Sequence, residues 1–506
     1  MSRPGFVLEV DDKTPALLTM AGAGMRLERF GLGTKVLYPA DAVASANPVE
    51  LIDAALESPL GKEPLAALLT PTTTLTIVVL DEPQLQPRMR FDVRRSIVER
   101  ILELAAVAGV DDVQLVIANG LAKRWSVPEI TRALGERVAT SFLPDGLITS
   151  HDATTDDLIS LGDVDGVPVK LNRRVAVSDL VVSVGVRASN RDGCAFARGL
   201  VDVETLRAAG APGADPGLVE RIAGLVEEKV NGFAVEAVVG QPLPVRSLRF
   251  AAKREWEWRL GDQLAFAGAR QLVAAMPTQG TQQLYGQQVA DYAVLDVIGG
   301  AAAQVSSQAR DAWRAANLVE VPGQADVLVT SVWGATFDEG DPDGSPIGAA
   351  ERALVQLAGS HDGTPLAREG ATVIAFHPLV PRFSNRRQAA ASDFYATVLP
   401  ETTDPAKIRE RFEDRACADE WYLDLYRKHF SDHPLQAFQT WYRIAEASRG
   451  LGNIIWVGGN RRTAALLGHR AASTYADALE IASDSVGSHP AITYLRGPGQ
   501  VLGVVR

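Results

Sequence analysis

The pattern that most restricts the fold is a strand, a helix and a second strand in the first quarter of the chain. Leu75 to Leu80 is a short apolar run of the kind that forms a buried strand, and Val113 to Ala118 is another. Between them, over residues 93–108, apolar side chains recur at the spacing of a helix. Strands joined through a helix run parallel in one sheet. The sequence therefore predicts an α/β protein with polar loops at the strand ends, where such sheets bind ligands.

The same alternation continues after the second strand. A helix is predicted to begin after Ser126, because Glu129 stands three residues further on, as in a capping box. A tight turn at Asp165 predicts a hairpin within residues 158–171, and a fully buried strand is predicted at 179–186.

Three regions are predicted along the chain. Residues 1–241 form a first α/β domain, and residues 242–320 form a helical connector or insertion, because an Ala- and Gln-rich helical pattern covers 282–316. Residues 321–506 form a second α/β domain. Its predicted elements are strands at 325–332, 371–376, 453–457 and 491–494 and helices at 346–357 and across 405–447. The predicted fold class is two α/β domains with mainly parallel sheets and a cleft between them.

Charge and composition argue against several classes of protein. The chain has 50 lysines and arginines against 62 aspartates and glutamates, and its net charge of -12 disfavours binding to nucleic acid or to an anionic membrane. Two cysteines, Cys194 and Cys417, are too few for a disulfide framework or a cysteine-based metal site. No apolar run reaches the roughly 18 residues of a membrane helix, and no signal-peptide core follows Met1, so a cytoplasmic protein is expected.

Several short motifs follow one another in a fixed order along the chain. They are Gly31-Leu32-Gly33-Thr34-Lys35, Asn47-Pro48, Pro59-Leu60-Gly61, Asn119-Gly120, Thr149-Ser150-His151-Asp152-Ala153, Asn172-Arg173-Arg174 and Gly497-Pro498-Gly499. In this order they resemble the nickel-dependent lactate racemase family. The resemblance implies an isomerase of 2-hydroxy acids. It also implies a pyridinium-derived nickel pincer tethered to a lysine, with one histidine on the metal and two more that move protons.

The side chains that the resemblance implies for this chemistry are replaced here. Ala122 and Asn190 stand where histidines are expected, and Gln84 stands at an arginine position. No lysine lies between Lys170 and Lys229, where the tether is expected. A proton shuttle needs a group whose charge changes near neutral pH, which alanine and asparagine do not supply. No cofactor is therefore predicted, and the nickel pincer is not expected.

Polar residues near the strand ends are the predicted binding groups for a small anionic molecule. A guanidinium such as that of Arg187 can hold a carboxylate through two hydrogen bonds, although a solvated charged loop explains these residues equally well. The predicted substrate-binding residues are Asp81, Gln84, Lys123, Arg124, Arg187, Asn190, Arg191 and Asp338.

Two histidines are the predicted candidates for an acid or a base. His377 ends a predicted strand beside the cleft, and His151 lies in one of the motifs above. A structural histidine that caps an element or bonds to the backbone is the alternative for His151. No metal site is predicted, because His429 and His433 share a helix face but Pro434 marks a helix end there.

Two functions remain open. The first is an enzyme of the lactate racemase family that binds a small hydroxy acid or related carboxylate in the interdomain cleft without the tethered pincer, including a racemase or epimerase with relocated catalytic residues. The second is a non-catalytic binding or assembly protein on the same fold. In that case the region Trp256 to Trp258 is the predicted surface for a protein partner or for a second copy in a homo-oligomer.

Overall fold

The structure is a computed structural model, and it describes residues 3–43, 47–81, 87–190, 194–334 and 340–506. Its strands are β1 Phe6–Glu9, β2 Leu17–Ala21, β3 Gly24–Glu28, β4 Lys35–Tyr38, β5 Leu75–Leu80, β6 Arg88–Met89, β7 Val113–Ala118, β8 Ile148–Ser150, β9 Leu158–Val164, β10 Val167–Asn172, β11 Leu180–Arg187, β12 Gly232–Pro244, β13 Val289–Gly300, β14 Leu318–Val321, β15 Ala325–Ser331, β16 Ala367–Phe376, β17 Asn453–Val457, β18 Arg470–Ala472, β19 Ile492–Leu495 and β20 Leu502–Val505.

The helices lie on the faces of the sheets and between them. They are α1 Val49–Glu57, α2 Leu65–Leu68, α3 Val93–Ala108, α4 Val127–Leu134, α5 Glu136–Phe142, α6 Arg173–Val177, α7 Ala195–Leu200, α8 Val203–Ala209, α9 Leu218–Lys229, α10 Leu260–Ala275, α11 Thr278–Gly286, α12 Ala302–Asn317, α13 Pro346–Ala350, α14 Ala389–Asp393, α15 Pro405–Ile408, α16 Asp414–Cys417, α17 Glu420–Lys428, α18 Pro434–Ser448, α19 Arg461–Leu466 and α20 Tyr475–Val486. Helix α13 continues into a π-helical segment at Glu351–Ala358, and short 3-10 turns cover Arg246–Ala252 and Glu255–Glu257.

Two seven-stranded sheets form the two halves of the molecule. The first sheet has the order β6-β13-β12-β11-β5-β7-β8, and the second has the order β1-β4-β19-β15-β16-β17-β18. Within the first sheet β12 and β13 are antiparallel, within the second β1 and β4 are antiparallel, and the other neighbouring pairs run parallel. The predicted α/β class with mainly parallel sheets is confirmed.

Helix α3 shows why the first sheet forms where the sequence predicts it. Asp92 caps the helix by accepting a hydrogen bond from the backbone N–H of Arg94, and Gly109 ends it in the left-handed conformation at φ 75°. Ile97 and Ile101 are fully buried against the sheet. Burying such a side chain contributes about 1.5–3 kcal/mol, so this helix is held mainly by its apolar face.

The N-terminal strands lie in the second sheet. Strand β4 pairs in parallel with β19, and β1 pairs with β4. Residues 6–38 therefore share a sheet with strands from the C-terminal part of the chain, and the chain crosses between the two halves more than once.

The helical pattern predicted over residues 282–316 is wrong for its middle part. Helices α11 and α12 lie at its two ends, but β13 runs between them and pairs antiparallel with β12. Most of β13 is buried or half-buried in the sheet, and β-branched residues such as Val289, Val294, Val297 and Ile298 favour this conformation.

The tryptophans predicted as a partner surface lie in a 3-10 turn and its flank. Trp256 is 44% exposed and packs edge-on against Tyr38, with ring centroids 5.3 Å apart. Trp258 donates a hydrogen bond from its indole N–H to the carbonyl oxygen of Phe250 at 3.1 Å. Both contacts give these side chains a packing role within the chain.

The segment that contains α14 to α18 joins the two halves. The Tyr426 hydroxyl donates a hydrogen bond to the carbonyl oxygen of Gly120 at 2.7 Å. The backbone N–H of His433 donates to the carbonyl oxygen of Leu121 at 2.8 Å. The backbone N–H of Lys123 donates to Asp432 at 2.9 Å. The loop after β7 is thus fixed from the other half of the molecule. Among the described residues, no helix is long and apolar enough to cross a membrane.

Candidate functional site

A cavity of about 1090 Å³ lies between one face of the first sheet and helix α18. Three of its lining residues come from the carboxyl ends of parallel strands: Asp81 follows β5, Asn119 follows β7, and Arg187 ends β11. The opposite wall is formed by α18 and the π-helical segment after α13. The cavity therefore lies at the edge where ligands bind in open parallel sheets.

The loop after β7 is held close to helix α7 by two glycines. Gly120 has φ 52°, and a Cβ built on it would lie 2.6 Å from the carbonyl oxygen of Arg198. A Cβ on Gly199 would lie 2.5 Å from the Cβ of Ala118. Only glycine allows both approaches, because any side chain would collide with the neighbouring backbone or Cβ.

Asn119 carries an unused acceptor at this loop. Its side-chain N–H donates to the carbonyl oxygen of Ala122 at 2.8 Å. Its Oδ1 is buried and accepts no hydrogen bond from the described residues. An unsatisfied buried acceptor costs free energy unless a ligand, a water molecule or a small rearrangement supplies a donor.

Most polar side chains along α18 already have protein partners. Gln439 donates to the carbonyl oxygen of Leu206 at 2.6 Å, and the hydroxyl of Tyr442 donates to Glu413 at 2.6 Å. Arg443 is paired with the buried carboxylate of Glu351 at 2.6 Å. This wall is therefore rich in polar residues but offers few free polar atoms.

Arg187, at the end of β11, forms an ion pair with Glu236 on the neighbouring strand β12. Its Nε lies 2.8 Å from an oxygen of Glu236, and both side chains are buried. Burial raises the pKa of Glu236 above its usual value, although the charge of Arg187 opposes that shift. The pair is thus a buried ion pair whose acid is easier to protonate than a solvated glutamate.

Arg352 differs from Arg187 and Arg443 in having no ion pair with a described carboxylate. It lies in the π-helical segment, and its guanidinium carbon is 4.8 Å from the centre of the Trp333 ring. No ion pair or hydrogen bond joins it to another described residue, and its Nε is buried without a partner. Burial lowers the pKa of this guanidinium to about 10, so it is still charged at neutral pH. The cavity therefore holds a cation whose charge no described carboxylate balances.

The predicted substrate-binding residues separate into three groups. Asp81 and Arg187 line the cavity. Lys123 and Arg124 are not brought to it: the ammonium of Lys123 is 2.6 Å from the carboxylate of Glu129, and Arg124 is exposed and donates to the carbonyl oxygen of Arg427. Asn190 is half-buried after β11, outside the described lining. Gln84, Arg191 and Asp338 lie outside the described residues.

The two predicted catalytic histidines are buried away from the cavity lining, and both bond to their own surroundings. In His151, Nε2 is 3.0 Å from the carbonyl oxygen of Val201, and Nδ1 is 3.3 Å from the side-chain nitrogen of Asn172. In His377, Nε2 is 2.9 Å from the carbonyl oxygen of Pro342, and Nδ1 accepts from a backbone N–H at 3.1 Å. Both ring nitrogens are engaged in each case, as expected of a structural histidine.

The histidine pair near Pro434 does not form a ligand set. His433 is buried and caps α18 by accepting the backbone N–H of Leu435, whereas His429 is exposed beside Asp424. Within the described ranges no group of three or more histidines, cysteines or acids is arranged to hold a metal ion.

Sequence reasoning missed Arg352 and the role of Asn119. Asn119 had a signal, since it directly follows a predicted strand and lies in a quoted motif. Arg352 had none: it lies inside a predicted helix, and only the fold shows that it lines the cavity without a carboxylate partner among the described residues.

Residues 31–188 match the family model of the lactate racemase N-terminal domain. This region is therefore similar to the N-terminal domain of lactate racemases. The fold of the whole chain is similar to that of the lactate racemase apoprotein from Thermoanaerobacterium thermosaccharolyticum, with a TM-score of 0.62 and 13% identity over 97% of this chain and 100% of that one. A structural-genomics protein from Thermotoga maritima matches with a TM-score of 0.47 and 12% identity over 92% of this chain and 100% of that one. No curated protein matches the chain by sequence. The family resemblance seen in the sequence is confirmed.

The described residues of this lactate racemase-like cleft do not fit a lysine-tethered nickel pincer. The described lining contains no histidine, and its one lysine is Lys62. Lys62 lies near Asn231, with 3.4 Å between Nζ and Oδ1. Asn231 precedes the amino end of β12, which is opposite to the carboxyl ends of the strands that carry Asp81, Asn119 and Arg187. The described lining therefore lacks both the tether and the metal ligand that this cofactor requires.

Proposed function

We propose that the interdomain cleft binds a hydroxy acid or a related carboxylate, and that it does so without the lysine-tethered nickel pincer. Arg352 is the observation that carries this proposal. Among the described residues this guanidinium has no carboxylate partner, which is costly for an ionised group in a partly enclosed site, and an anionic ligand would relieve that cost. The guanidinium fork also suits the two oxygens of a carboxylate.

Asn119 supports a hydroxyl group on the ligand. Its Oδ1 has no donor among the described residues, and a hydroxyl can donate one hydrogen bond while a carboxylate cannot. A ligand that presents both an anion and a hydroxyl would supply a partner for the Arg352 guanidinium and for the Oδ1 of Asn119. Asp81 lines the same region and disfavours a ligand with a second anionic group beside it.

Calorimetric titration with lactate tests the proposal. Arg352→Ala should weaken binding by about 2 kcal/mol, or about thirtyfold in Kd, because it removes a charge-assisted hydrogen bond. Arg352→Lys keeps the charge without the fork and should give an intermediate Kd. Arg368→Ala is the control, since Arg368 is paired with Asp326 outside the cavity. An unchanged Kd in Arg352→Ala would place the ligand elsewhere.

Two roles for the bound acid are compatible with this site. A non-catalytic binding protein is favoured by the two buried histidines, whose ring nitrogens are all engaged. A racemase or epimerase with relocated groups would need a proton acceptor at the cleft, and Glu236, with its raised pKa, is the group that best matches. A chiral assay of D- and L-lactate interconversion separates the two roles.

A further inference from the structure

The cavity is much larger than a three-carbon hydroxy acid requires. Its volume of about 1090 Å³ slightly exceeds the range for sites that enclose drug-sized ligands, roughly 300–1000 Å³. Lactate held at Arg352 would leave most of this space to water. The size of the cleft therefore calls for a ligand that extends well beyond its head group.

Part of the cavity wall away from Asn119 is formed by apolar side chains. Val355 lies three residues after Arg352 on the same segment and lines the same cavity. Helices α7 to α9 add Phe196, Ala209, Val219 and Ala223, all of them half-buried. These side chains are only partly covered by the core and also border the open space, so they can contact an apolar part of a ligand.

The polar groups on the facing wall are already satisfied within the protein. Gln439, Tyr442 and Arg443 each bond to a partner in the chain, as described above. A sugar, peptide or phosphate extension would find few free donors or acceptors there, and each of its buried polar groups would lose its bonds to water. An aliphatic or aromatic extension carries no such cost.

We infer that the cleft takes 2-hydroxy acids with an extended apolar tail, with the carboxylate at Arg352 and the tail along Val355, Ala209 and Ala223. This inference rests on the proposed function, because it assigns a tail to the head group proposed there. It names a narrower ligand class than the family resemblance implies.

Calorimetric titration of the intact protein with lactate, 2-hydroxybutyrate, 2-hydroxyhexanoate and 2-hydroxyoctanoate tests the inference. Each added methylene should lower Kd by about fourfold until the cavity is filled. 2-Hydroxyoctanamide is the uncharged control and should bind much more weakly than the acid. The wild-type series alone decides the question, whether or not a cavity variant folds.

A wall variant adds a second readout. Ala223→Phe fills part of the apolar wall and should remove most of the gain for 2-hydroxyoctanoate while leaving lactate binding intact. Glu220→Phe places the same ring on the exposed face of the same helix and should change neither Kd.

Each outcome of the series has one meaning. Equal or falling affinity along the series would overturn the apolar tail and leave the carboxylate proposal standing. An amide that binds as tightly as its acid would overturn the carboxylate proposal and leave the apolar wall standing. No binding of any member would overturn both.

Discussion

Three histidines, His151, His377 and His433, are buried in the structure, and His469 is half-buried. Burial lowers the pKa of His377 and His469 to about 4 and that of His433 to about 3, and it also lowers the pKa of His151. An unfolded histidine titrates near 6.5. Between about pH 4 and 6.5 the unfolded chain therefore binds more protons than the folded one. The contribution of these neutral histidines to the free energy of unfolding is fully present above pH 6.5 and is lost as the pH falls towards 4.

His377→Gln should flatten this pH dependence. The shift of its pKa from 6.5 to about 4 corresponds to about 3 kcal/mol of unfolding free energy between neutral pH and pH 4. The variant should also be less stable at neutral pH, because two buried hydrogen bonds change. Denaturant unfolding at several pH values measures both effects. His489→Gln, at an exposed site, is the control, and an equally steep profile in His377→Gln would contradict the assignment.

Sequence position predicted which residues end a strand but not where a side chain points. Asp81 and Arg187 reach the cavity because they end or follow parallel strands. Lys123 was predicted by the same reasoning, yet it turns away to Glu129, six residues later, which also accepts the backbone N–H of Ser126. Arg352 was not predicted because its position in the cavity, with no carboxylate partner among the described residues, depends on the fold, which a single sequence does not reveal.

At the scale of elements, local pattern was enough for strands and helices whose signals lie within the segment. Helix α3 matches its prediction because its cap, apolar face and terminal glycine are adjacent in sequence. Strand β13 was predicted as helix because its neighbours are rich in alanine and glutamine. Its conformation is set by pairing with β12, about 55 residues earlier, and such long-range pairing overrides local propensity.

The contact between the loop after β7 and α7 gives an element-scale prediction. Gly199→Ala should cost about 1–3 kcal/mol of unfolding free energy, because the new methyl group meets Ala118 at 2.5 Å. It should also weaken carboxylate binding, since the shift displaces Asn119. Gly224→Ala is the control: its Cβ meets nothing within 4 Å, and alanine in that helix should stabilise by about 0.5–1 kcal/mol. Thermal unfolding and calorimetry report both effects, and a neutral Gly199→Ala would contradict the packing argument.

At the scale of the whole molecule, the α/β class and the family resemblance were predictable, and the way the halves are joined was not. The family model covers residues 31–188, which contain most of the short motifs that carry the resemblance. The placement of β1 and β4 in the second sheet depends on pairing with β19, more than 450 residues away in sequence. The helices that fix the loop after β7 from the other half likewise act through contacts that no local pattern encodes.

We propose that the cavity between the two sheets binds an anion at Arg352. A crystal structure of the protein soaked with a 2-hydroxy acid tests it most directly. We expect the carboxylate within hydrogen-bond distance, about 2.7–3.0 Å, of the Arg352 guanidinium, and the 2-hydroxyl directed towards Asn119. Electron density for the acid at another site, with Arg352 untouched, would contradict the claim.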